Sequence, residues 1–368
     1  MFLAKKLEKY LQEISVHHSY TFVPQGATQT KIFNVKRLGG GVSNKTFSFT
    51  LSYTLKGKKQ TKNFVLKMYP EDKDPVLQMD LDNEDPGKCL REYQVLKFLE
   101  HYDFPAPRAY VCEINRNYLG YPFVIMSKEI IKEKSINHIR LFAQTLAKLH
   151  NLQWNHLKIK CLKPPSDEYN FAKRQIIHFE NLLKYLSNGY GVNLNKDFKK
   201  VLQWLRDNVK SNPCDQYSLI HGDYCPGNAF LSNNSRLIVT DWEWAEIGDP
   251  AYDLGVAYHY LKILNEGKGE VLTRFFINEY ISELRKNIIE RLEFYQVIAA
   301  LKLAIFYKAV SKNPNLAYKY YGFKPVLIFP ILGWFLRPWP QYLEKFLVEK
   351  TDKRFHRNNF TLLKTLLN

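Results

Sequence analysis

Hydrophobic and polar residues alternate along three segments near the start of the chain. Such alternation predicts strands that each bury one face. The segments are KIFNVKRL (31–38), NKTFSFTLSYTL (44–55) and KNFVLKMY (62–69). Three glycines separate the first two segments and KGKKQT separates the last two, so both connections have the composition of turns. An amphipathic helix is predicted before them, in MFLAKKLEKYLQEI (1–14).

The next segment changes to helical periodicity. In CLREYQVLKFLEHY (89–102), Leu90, Tyr93, Leu96 and Phe98–Leu99 recur at helical spacing. Two further strands are predicted within RAYVCEINRNYLGYPFVIMSKE (108–129). The order β-β-β-α-β-β predicts an antiparallel sheet with one helix packed on it.

Beyond about residue 135 the pattern is mainly helical, and short strands interrupt it only within 215–244, around the turn SNNS. The predicted helices cover 137–152, 168–188, 196–210 and the chain after residue 260. The predicted fold is therefore α+β and bilobal, with a small antiparallel-β N-terminal lobe that includes one main helix (1–127). A large, mainly helical C-terminal lobe (128–368) follows, with the hinge near 126–129.

Composition and charge narrow the class of protein. With 45% hydrophobic and 24% charged residues, the chain has the composition of a folded protein. Its 53 lysines and arginines exceed its 36 aspartates and glutamates, for a formal charge of +17. Such an excess attracts anions such as nucleotides, phosphorylated metabolites, nucleic acid or anionic membranes, although a diffuse solvated surface explains it equally well. No compact basic run occurs, so a nucleic-acid partner is not expected, but the charge leaves it open.

The five cysteines are scattered and none has the C-x-x-C spacing. This pattern argues against a zinc or disulfide framework and favours a reducing compartment, so we expect a cytoplasmic protein. The apolar stretch 325–343 is interrupted by Pro330 and Arg337 and is too short for a membrane-spanning helix, which needs about 20 residues. It predicts a buried helix, with a membrane-surface contact or an apolar substrate pocket as alternatives.

One polar cluster follows a predicted strand, in the motif HGDYCPGN (221–228). Asn228 precedes one strand of a predicted hairpin and Asp241 follows the other, so the two should lie side by side, with Asp223 facing the same opening. Carboxylate and amide oxygens form a hard ligand set that suits Mg²⁺. A divalent ion beside a free carboxylate is the arrangement that phosphoryl transfer requires. The alternative is that these residues only cap turns.

The small lobe offers candidates for holding a nucleotide. Gly39, Gly40 and Gly41 lie at a strand–strand turn, where backbone N–H groups can approach phosphates closely. Lys67 is predicted to point from its strand toward the inner side of the small lobe. A buried lysine needs a partner, for which Glu92 is the best candidate. Taken alone, the glycines fit an ordinary hairpin turn and Lys67 fits a surface lysine.

The ordered motifs LGGGVSN, VLK, REYQVLKFL, GYPFVIM, LAKLH, LIHGDYCPGN and IVTDWEWAEIGDPAYDLG resemble the aminoglycoside phosphotransferase / choline kinase family, relatives of the protein kinases. The resemblance covers about residues 30 to 260. It implies a bilobal kinase fold that binds ATP or GTP in the cleft between the lobes, with Mg²⁺.

The resemblance also implies roles for individual residues. Asp223 resembles the catalytic base, and Asn228 and Asp241 resemble the Mg²⁺ ligands. Lys67 and Glu92 resemble the pair that anchors the nucleotide phosphates. The nucleotide set further comprises the glycine turn with Ser43 and Asn44, and the hinge backbone that would hold the adenine, at Met126, Ser127 and Lys128.

Other motif residues resemble supporting groups. His221 and Asp253 resemble residues that hold the catalytic loop, and Glu243 is a plausible supporting group beside the metal. Gly222 stands where protein kinases have an arginine, which argues against activation by a phosphorylated loop and so against a protein kinase.

These observations predict a small-molecule kinase that transfers the γ-phosphoryl group of a Mg²⁺–nucleotide, most simply ATP, to a hydroxyl of a sugar, polyol, amino alcohol or related metabolite. The basic chain favours a neutral or anionic acceptor over a polycationic aminoglycoside. Choline stays open because an aromatic cage can bind it even in a basic protein. The alternatives are a pseudokinase-like nucleotide-binding module and a kinase that acts on a macromolecule or a lipid-like alcohol.

Overall fold

The computed structural model describes residues 2–17, 23–24, 26–38, 44–70, 87–134, 137–156, 161–190, 196–264, 267–283, 288–312 and 338–351. The glycine turn with Gly39, Gly40, Gly41 and Ser43 lies outside the described residues. Most of the apolar stretch, residues 325–337, also lies outside them, so its predicted burial stays a prediction.

The N-terminal part forms a five-stranded antiparallel sheet in the order β1-β2-β3-β5-β4, as the alternating patterns predict. Its strands are β1 (Thr28–Arg37), β2 (Lys45–Leu55), β3 (Lys58–Met68), β4 (Ala109–Glu113) and β5 (Phe123–Ser127). Helix α1 (Phe2–His17) precedes the sheet, and helix α2 (Lys88–His101) lies between β3 and β4 in the chain.

The two helices of this part belong to different cores. Leu7 and Tyr10 of α1 pack with Phe49 and Phe64 of the sheet in a small core. Helix α2 contributes to the larger core shared with the helical part, and its buried side chains are Cys89, Arg91, Glu92, Val95, Leu96, Phe98 and Leu99. Leu96, Phe98 and Leu99 are buried as the spacing predicts, and Glu92 faces the interior, whereas Leu90 and Tyr93 are only half-buried.

The C-terminal part combines helices with short strands. Its elements are β6 (Ile131–Lys134), α3 (Ile139–His150), α4 (Asn170–Tyr190), α5 (Lys196–Asn208), β7 (Ser218–Ile220), β8 (Ala229–Ser232), β9 (Leu237–Val239), β10 (Glu246–Gly248), α6 (Pro250–Leu264), α7 (Gly269–Glu283), α8 (Ile289–Lys312) and α9 (Pro338–Thr351). Strand β10 pairs with β7, and β6 joins the β8–β9 hairpin to form a second small sheet. The fold is α+β as expected, although the sequence patterns did not reveal β6 or β10.

Helices cover the motif-bearing strands on the C-terminal side. Helix α6 packs against α8, and α3 packs against α7 and β7. The HGDYCPGN segment follows β7, which pairs with β10, so the loop that carries Asp223 starts from a fully buried strand. Among the helices that the structure describes, none combines the length and apolar character that crossing a membrane would require.

Candidate active site

The β8–β9 hairpin brings Asn228 and Asp241 together at its open end. Ala229 is paired with Val239, and the Thr240 N–H donates to the Asn228 carbonyl at 2.8 Å. Asp241 has a left-handed backbone, with φ 70° and ψ 57°. A residue other than glycine rarely adopts this conformation, and such strain is common at functional sites.

Asp223 and Asn228 are directly hydrogen-bonded. The Asn228 side-chain N–H₂ donates to the Asp223 carbonyl at 3.0 Å and to its Oδ2 at 3.1 Å. Burial raises the pKa of the Asp223 carboxyl, while the positive charge of Lys302 counteracts part of that rise. Because the amide nitrogen of Asn228 is engaged, its amide oxygen is the atom left to act as a ligand.

Asp253 fixes the backbone in front of Asp223. It accepts hydrogen bonds from the N–H groups of His221 at 2.7 Å and Gly222 at 2.9 Å. Its Oδ2 also lies 3.2 Å from Nε2 of His150. Burial opposes the charge of this carboxylate, but its hydrogen bonds outweigh that effect and lower its pKa. The geometry is that of a support for the loop, as the resemblance implies for Asp253.

Lys67 of β3 lies among three carboxylates. Its Nζ is 2.6 Å from Oε2 of Glu92 and 3.4 Å from Oε2 of Glu243, and it forms a close ion pair with Asp241. Burial opposes the charge of Lys67, but Asp241, Glu92 and Glu243 outweigh it and raise the pKa of the ammonium. Glu92 also accepts hydrogen bonds from the Tyr69 hydroxyl and the Trp242 N–H. The predicted Lys67–Glu92 contact is thus present, and it extends to the hairpin of the other lobe.

Of the other sequence-predicted residues that the structure describes, Asn44 contacts this centre. Asn44 donates a hydrogen bond to Oε2 of Glu243. At the hinge, Met126 is paired in the sheet with both neighbouring strands, and the Ser127 N–H donates to the Arg108 carbonyl at 2.8 Å. Those sheet contacts occupy the Ser127 N–H, whereas Lys128 follows the strand and is exposed.

The donor set fits the divalent ion that the family implies. Asp241 offers a carboxylate and Asn228 an amide oxygen, both of which Mg²⁺ prefers. Glu92, Asp241 and Glu243 also bring one oxygen each within 4.8 Å of one another. The ammonium of Lys67 lies among those three carboxylates and offsets part of their charge, so Asn228 and Asp241 remain the better candidates for ligands.

Sequence reasoning missed Lys302, which contacts the loop that carries Asp223, and Arg174, which contacts strand β10. Lys302 of α8 donates to the Gly222 carbonyl at 2.9 Å. Its Nζ also lies 5.4 Å from the ring centroid of Trp244. Arg174 of α4 lies next to Glu246 of β10. A lone lysine in the apolar run VIAALKLAIF was the available signal for Lys302, because lysines are rarely placed among such residues without a partner.

The fold matches those of solved phosphotransferases and kinases. A Ralstonia eutropha JMP134 protein, provisionally named an aminoglycoside phosphotransferase, is 17% identical, with 94% of this chain and 98% of that chain covered at a TM-score of 0.62. Choline kinase LicA from Streptococcus pneumoniae is 14% identical, with 93% and 99% covered at a TM-score of 0.55. Choline kinase from Cryptosporidium parvum Iowa II is also 14% identical, with 92% and 94% covered at 0.56. Comparison with curated protein sequences gave no match.

A family-level comparison agrees with the geometry. The profile of the phosphotransferase enzyme family, APH, matches residues 34–279. The match spans most of the sheet, α2, the HGDYCPGN loop and the β8–β9 hairpin, and so includes Lys67, Asp223 and Asp241. The chain belongs to the phosphotransferase enzyme family.

Proposed function

We propose that this protein is a small-molecule kinase that transfers the γ-phosphoryl group of ATP, or of GTP, to a hydroxyl of its acceptor. One observation carries the proposal: Lys67 pairs with Asp241, the neighbouring Thr240 N–H donates to Asn228, and Asn228 donates to Asp223, which connects β3 to the HGDYCPGN loop. Nucleotide complexes of proteins with this fold support the same role, among them LicA with AMP and the aminoglycoside phosphotransferase APH(4)-Ia with ADP and hygromycin B.

In this proposal Asp223 is the catalytic base. Its carboxylate orients the acceptor hydroxyl and takes its proton as the oxygen attacks the γ-phosphorus. Asn228 holds Asp223 through two hydrogen bonds, so the base has one orientation before the acceptor binds. Lys67, kept charged by its three carboxylates, contacts the nucleotide phosphates, and Asn44 and Lys128 line the rest of the nucleotide site.

Asn228 and Asp241 would hold Mg²⁺, which neutralises negative charge on the phosphates during transfer. Because Glu243 contacts both Lys67 and Asn44, it would keep the small-lobe residues aligned with those ligands. The acceptor is proposed to be neutral or anionic, since the chain carries a charge of +17. The protein is proposed to act in the cytoplasm.

A nucleotide-binding module without activity is the competing proposal. It would not require Asp223 to be held by Asn228, or Lys67 to be buried among carboxylates, because neither contact is needed for a scaffold. Retention of both contacts favours an enzyme.

The test measures Mg²⁺-dependent nucleotide turnover by the full chain with a panel of sugars, polyols and amino alcohols. We expect Asp223→Asn to lower kcat by about 10²- to 10⁴-fold while ADP still binds. The matched control is Asp207→Asn, at an exposed position on α5 that contacts only Gln203 among the hydrogen bonds of the described residues. Turnover that is unchanged in the Asp223 variant, or that survives removal of divalent ions by chelation, would contradict the proposal.

A further inference from the structure

Lys302 is a charged residue in an otherwise apolar part of helix α8. Its neighbours Leu301 and Leu303 are buried, and Lys302 itself is half-buried. A charged side chain in such surroundings loses hydration, which is costly unless protein groups replace the lost contacts. Lys302 also lies beyond residues 34–279, so the family match assigns no role to it. The contacts of its ammonium therefore indicate what it does.

Three contacts hold the ammonium of Lys302 in place. Its Nζ donates to the Gly222 carbonyl at 2.9 Å, is hydrogen-bonded to Tyr252 and lies 5.4 Å from the ring centroid of Trp244. Burial opposes the charge of Lys302, but Tyr252 and Asp223 outweigh that effect and raise its pKa. The lysine is therefore a charged donor with a fixed position, and hydrogen bonds from charged donors are stronger than those from neutral ones.

The bond from Lys302 acts on the peptide unit that leads into Asp223. The Gly222 carbonyl and the Asp223 N–H belong to one planar unit, so fixing both of its ends fixes its orientation. The Asp223 N–H donates to Nδ1 of His221 at 3.2 Å. Nε2 of His221 lies 2.9 Å from the Thr240 carbonyl, which only accepts, so Nε2 carries the proton and Nδ1 accepts. Lys302 and His221 thus hold opposite ends of the same peptide unit.

This peptide unit depends on Lys302 because the residue on one side of it is a glycine. With no Cβ, Gly222 restricts rotation about its own ψ angle only weakly. Asp253 binds the Gly222 N–H, and so fixes the preceding peptide unit rather than this one. Without Lys302, the Gly222 carbonyl would lose a charged donor in a buried place, a cost that rotation of the unit can relieve. Such a rotation would also turn the Cα–Cβ bond of Asp223.

We propose that Lys302 is a positioning residue for catalysis: through the Gly222 carbonyl it holds the peptide unit from which Asp223 projects, and so keeps the Asp223 carboxylate aimed at the acceptor hydroxyl. The inference rests on the proposed kinase function and adds a residue of α8 to the groups that operate that site. Lys302 contacts neither the acceptor nor the nucleotide in this role and acts only through the backbone of the loop.

The first experiment measures Mg²⁺–ATP turnover by the full chain with the best acceptor of the sugar, polyol and amino alcohol panel. Lys302→Met should lower kcat by about 10- to 100-fold, because a small misplacement of the base is enough for such a loss. It should leave KM for ATP unchanged, because the contacts of Lys67 with its carboxylates are not altered. Lys302→Arg should recover most of the turnover, since a guanidinium can donate to the same carbonyl.

The matched control is Lys148→Met. Lys148 is an exposed lysine of α3 that also donates to a backbone carbonyl, that of Asp103 at 3.3 Å, and lies 6.0 Å from the ring centroid of Phe104. Its replacement should leave kcat and KM unchanged. Thermal unfolding of each variant separates a loss of fold from a loss of positioning, and the Lys302→Arg variant serves if Lys302→Met does not fold.

A second experiment observes the peptide unit without any turnover. The dipeptide Gly–Asp occurs twice in the chain, at 222–223 and 248–249. Labelling glycine with ¹³C at the carbonyl and aspartate with ¹⁵N therefore selects two amide signals by NMR, which Asp223→Asn assigns. Lys302→Met should speed hydrogen exchange of the Asp223 N–H by about 10-fold or more, with the Asp249 N–H as the internal reference. Lys302→Arg should restore the slower exchange.

The two experiments keep the two proposals apart. An unchanged exchange rate at Asp223 in Lys302→Met would overturn the positioning role, as would Asp223-dependent turnover with the same kcat as in Lys148→Met. Either result leaves the kinase function intact. A loss in Lys302→Met that appears equally in KM for ATP would also overturn it, because the lysine would then act on the nucleotide site. Faster exchange at Asp223, without Asp223-dependent turnover of any acceptor by the wild type, would instead contradict the kinase function.

Discussion

Gly222 lies against the backbone of Trp244 so closely that a Cβ on Gly222 would overlap the Trp244 carbonyl oxygen and lie 2.9 Å from its carbonyl carbon. Gly222 also has φ +79°, a conformation that side chains disfavour. Its N–H is bound by Asp253 and its carbonyl by Lys302. The residue before Asp223 is thus fixed on three sides, and an arginine at this position would not fit.

We therefore expect Gly222→Ala to lower the free energy of unfolding by about 3 kcal/mol, from the left-handed backbone and the overlap together. Gly57→Ala is the control, because Gly57 has φ +74° but its added Cβ would meet no described atom within 4 Å, so only the backbone cost of about 1 kcal/mol applies. Chemical denaturation of both variants measures the difference. Equal losses would mean that the contact with Trp244 is not close.

Replacing Lys67 should reduce stability and nucleotide binding more than replacing Glu92. Lys67→Met leaves Glu92, Asp241 and Glu243 close together without a cation, so we expect about 3 kcal/mol less stability and much weaker nucleotide binding. Glu92→Gln leaves Lys67 paired with Asp241 and Glu243, so its losses should be smaller.

Chemical denaturation measures the stability of the Lys67 and Glu92 variants, and titration with Mg²⁺–ATP measures their nucleotide affinity. Lys62→Met, on the exposed part of β3, is the control for removing a lysine from the same strand. If the Glu92 variant is less stable and binds Mg²⁺–ATP more weakly than the Lys67 variant, the lysine does not organise the cluster.

The parts of the site that the sequence predicted depend on local geometry. Asn228 and Asp241 flank one hairpin, so strand pairing alone brings them together. Lys67 was placed inward by the alternation of its strand, and Glu92 followed because a buried lysine needs a carboxylate. Each inference used neighbouring residues or a single charge-pairing rule.

Residues on distant helices could not be predicted in the same way. Lys302 reaches the Asp223 loop, and Arg174 reaches β10, only through the packing of α8 and α4, which periodicity does not specify. The burial of Arg91 on α2 was not predicted, because its guanidinium donates to the Glu243 carbonyl after β9 rather than to solvent. A hydrophobic pattern treats buried positions as apolar, so it does not predict polar residues in the interior.

His259 should make the stability of the helical lobe depend on pH. It is fully buried on α6, where its Nε2 lies 2.8 Å from the Gln296 carbonyl of α8. Because a carbonyl only accepts, Nε2 carries a proton, and burial lowers the pKa of the imidazole from 6.5 to about 4. The neutral form is thus the one that the folded protein holds.

The unfolded chain binds a proton at His259 below about pH 6.5, whereas the folded protein does so only below about pH 4. Neutral His259 therefore makes its full contribution to the free energy of unfolding above pH 6.5. As the pH falls to 4, the free energy of unfolding decreases by about 3 kcal/mol in total. The free energy of unfolding should differ less between pH 7 and pH 5 for His259→Gln than for the wild type. His101→Gln, at an exposed histidine, should show the same difference as the wild type. An unchanged pH dependence in the His259 variant would mean that other groups cause it.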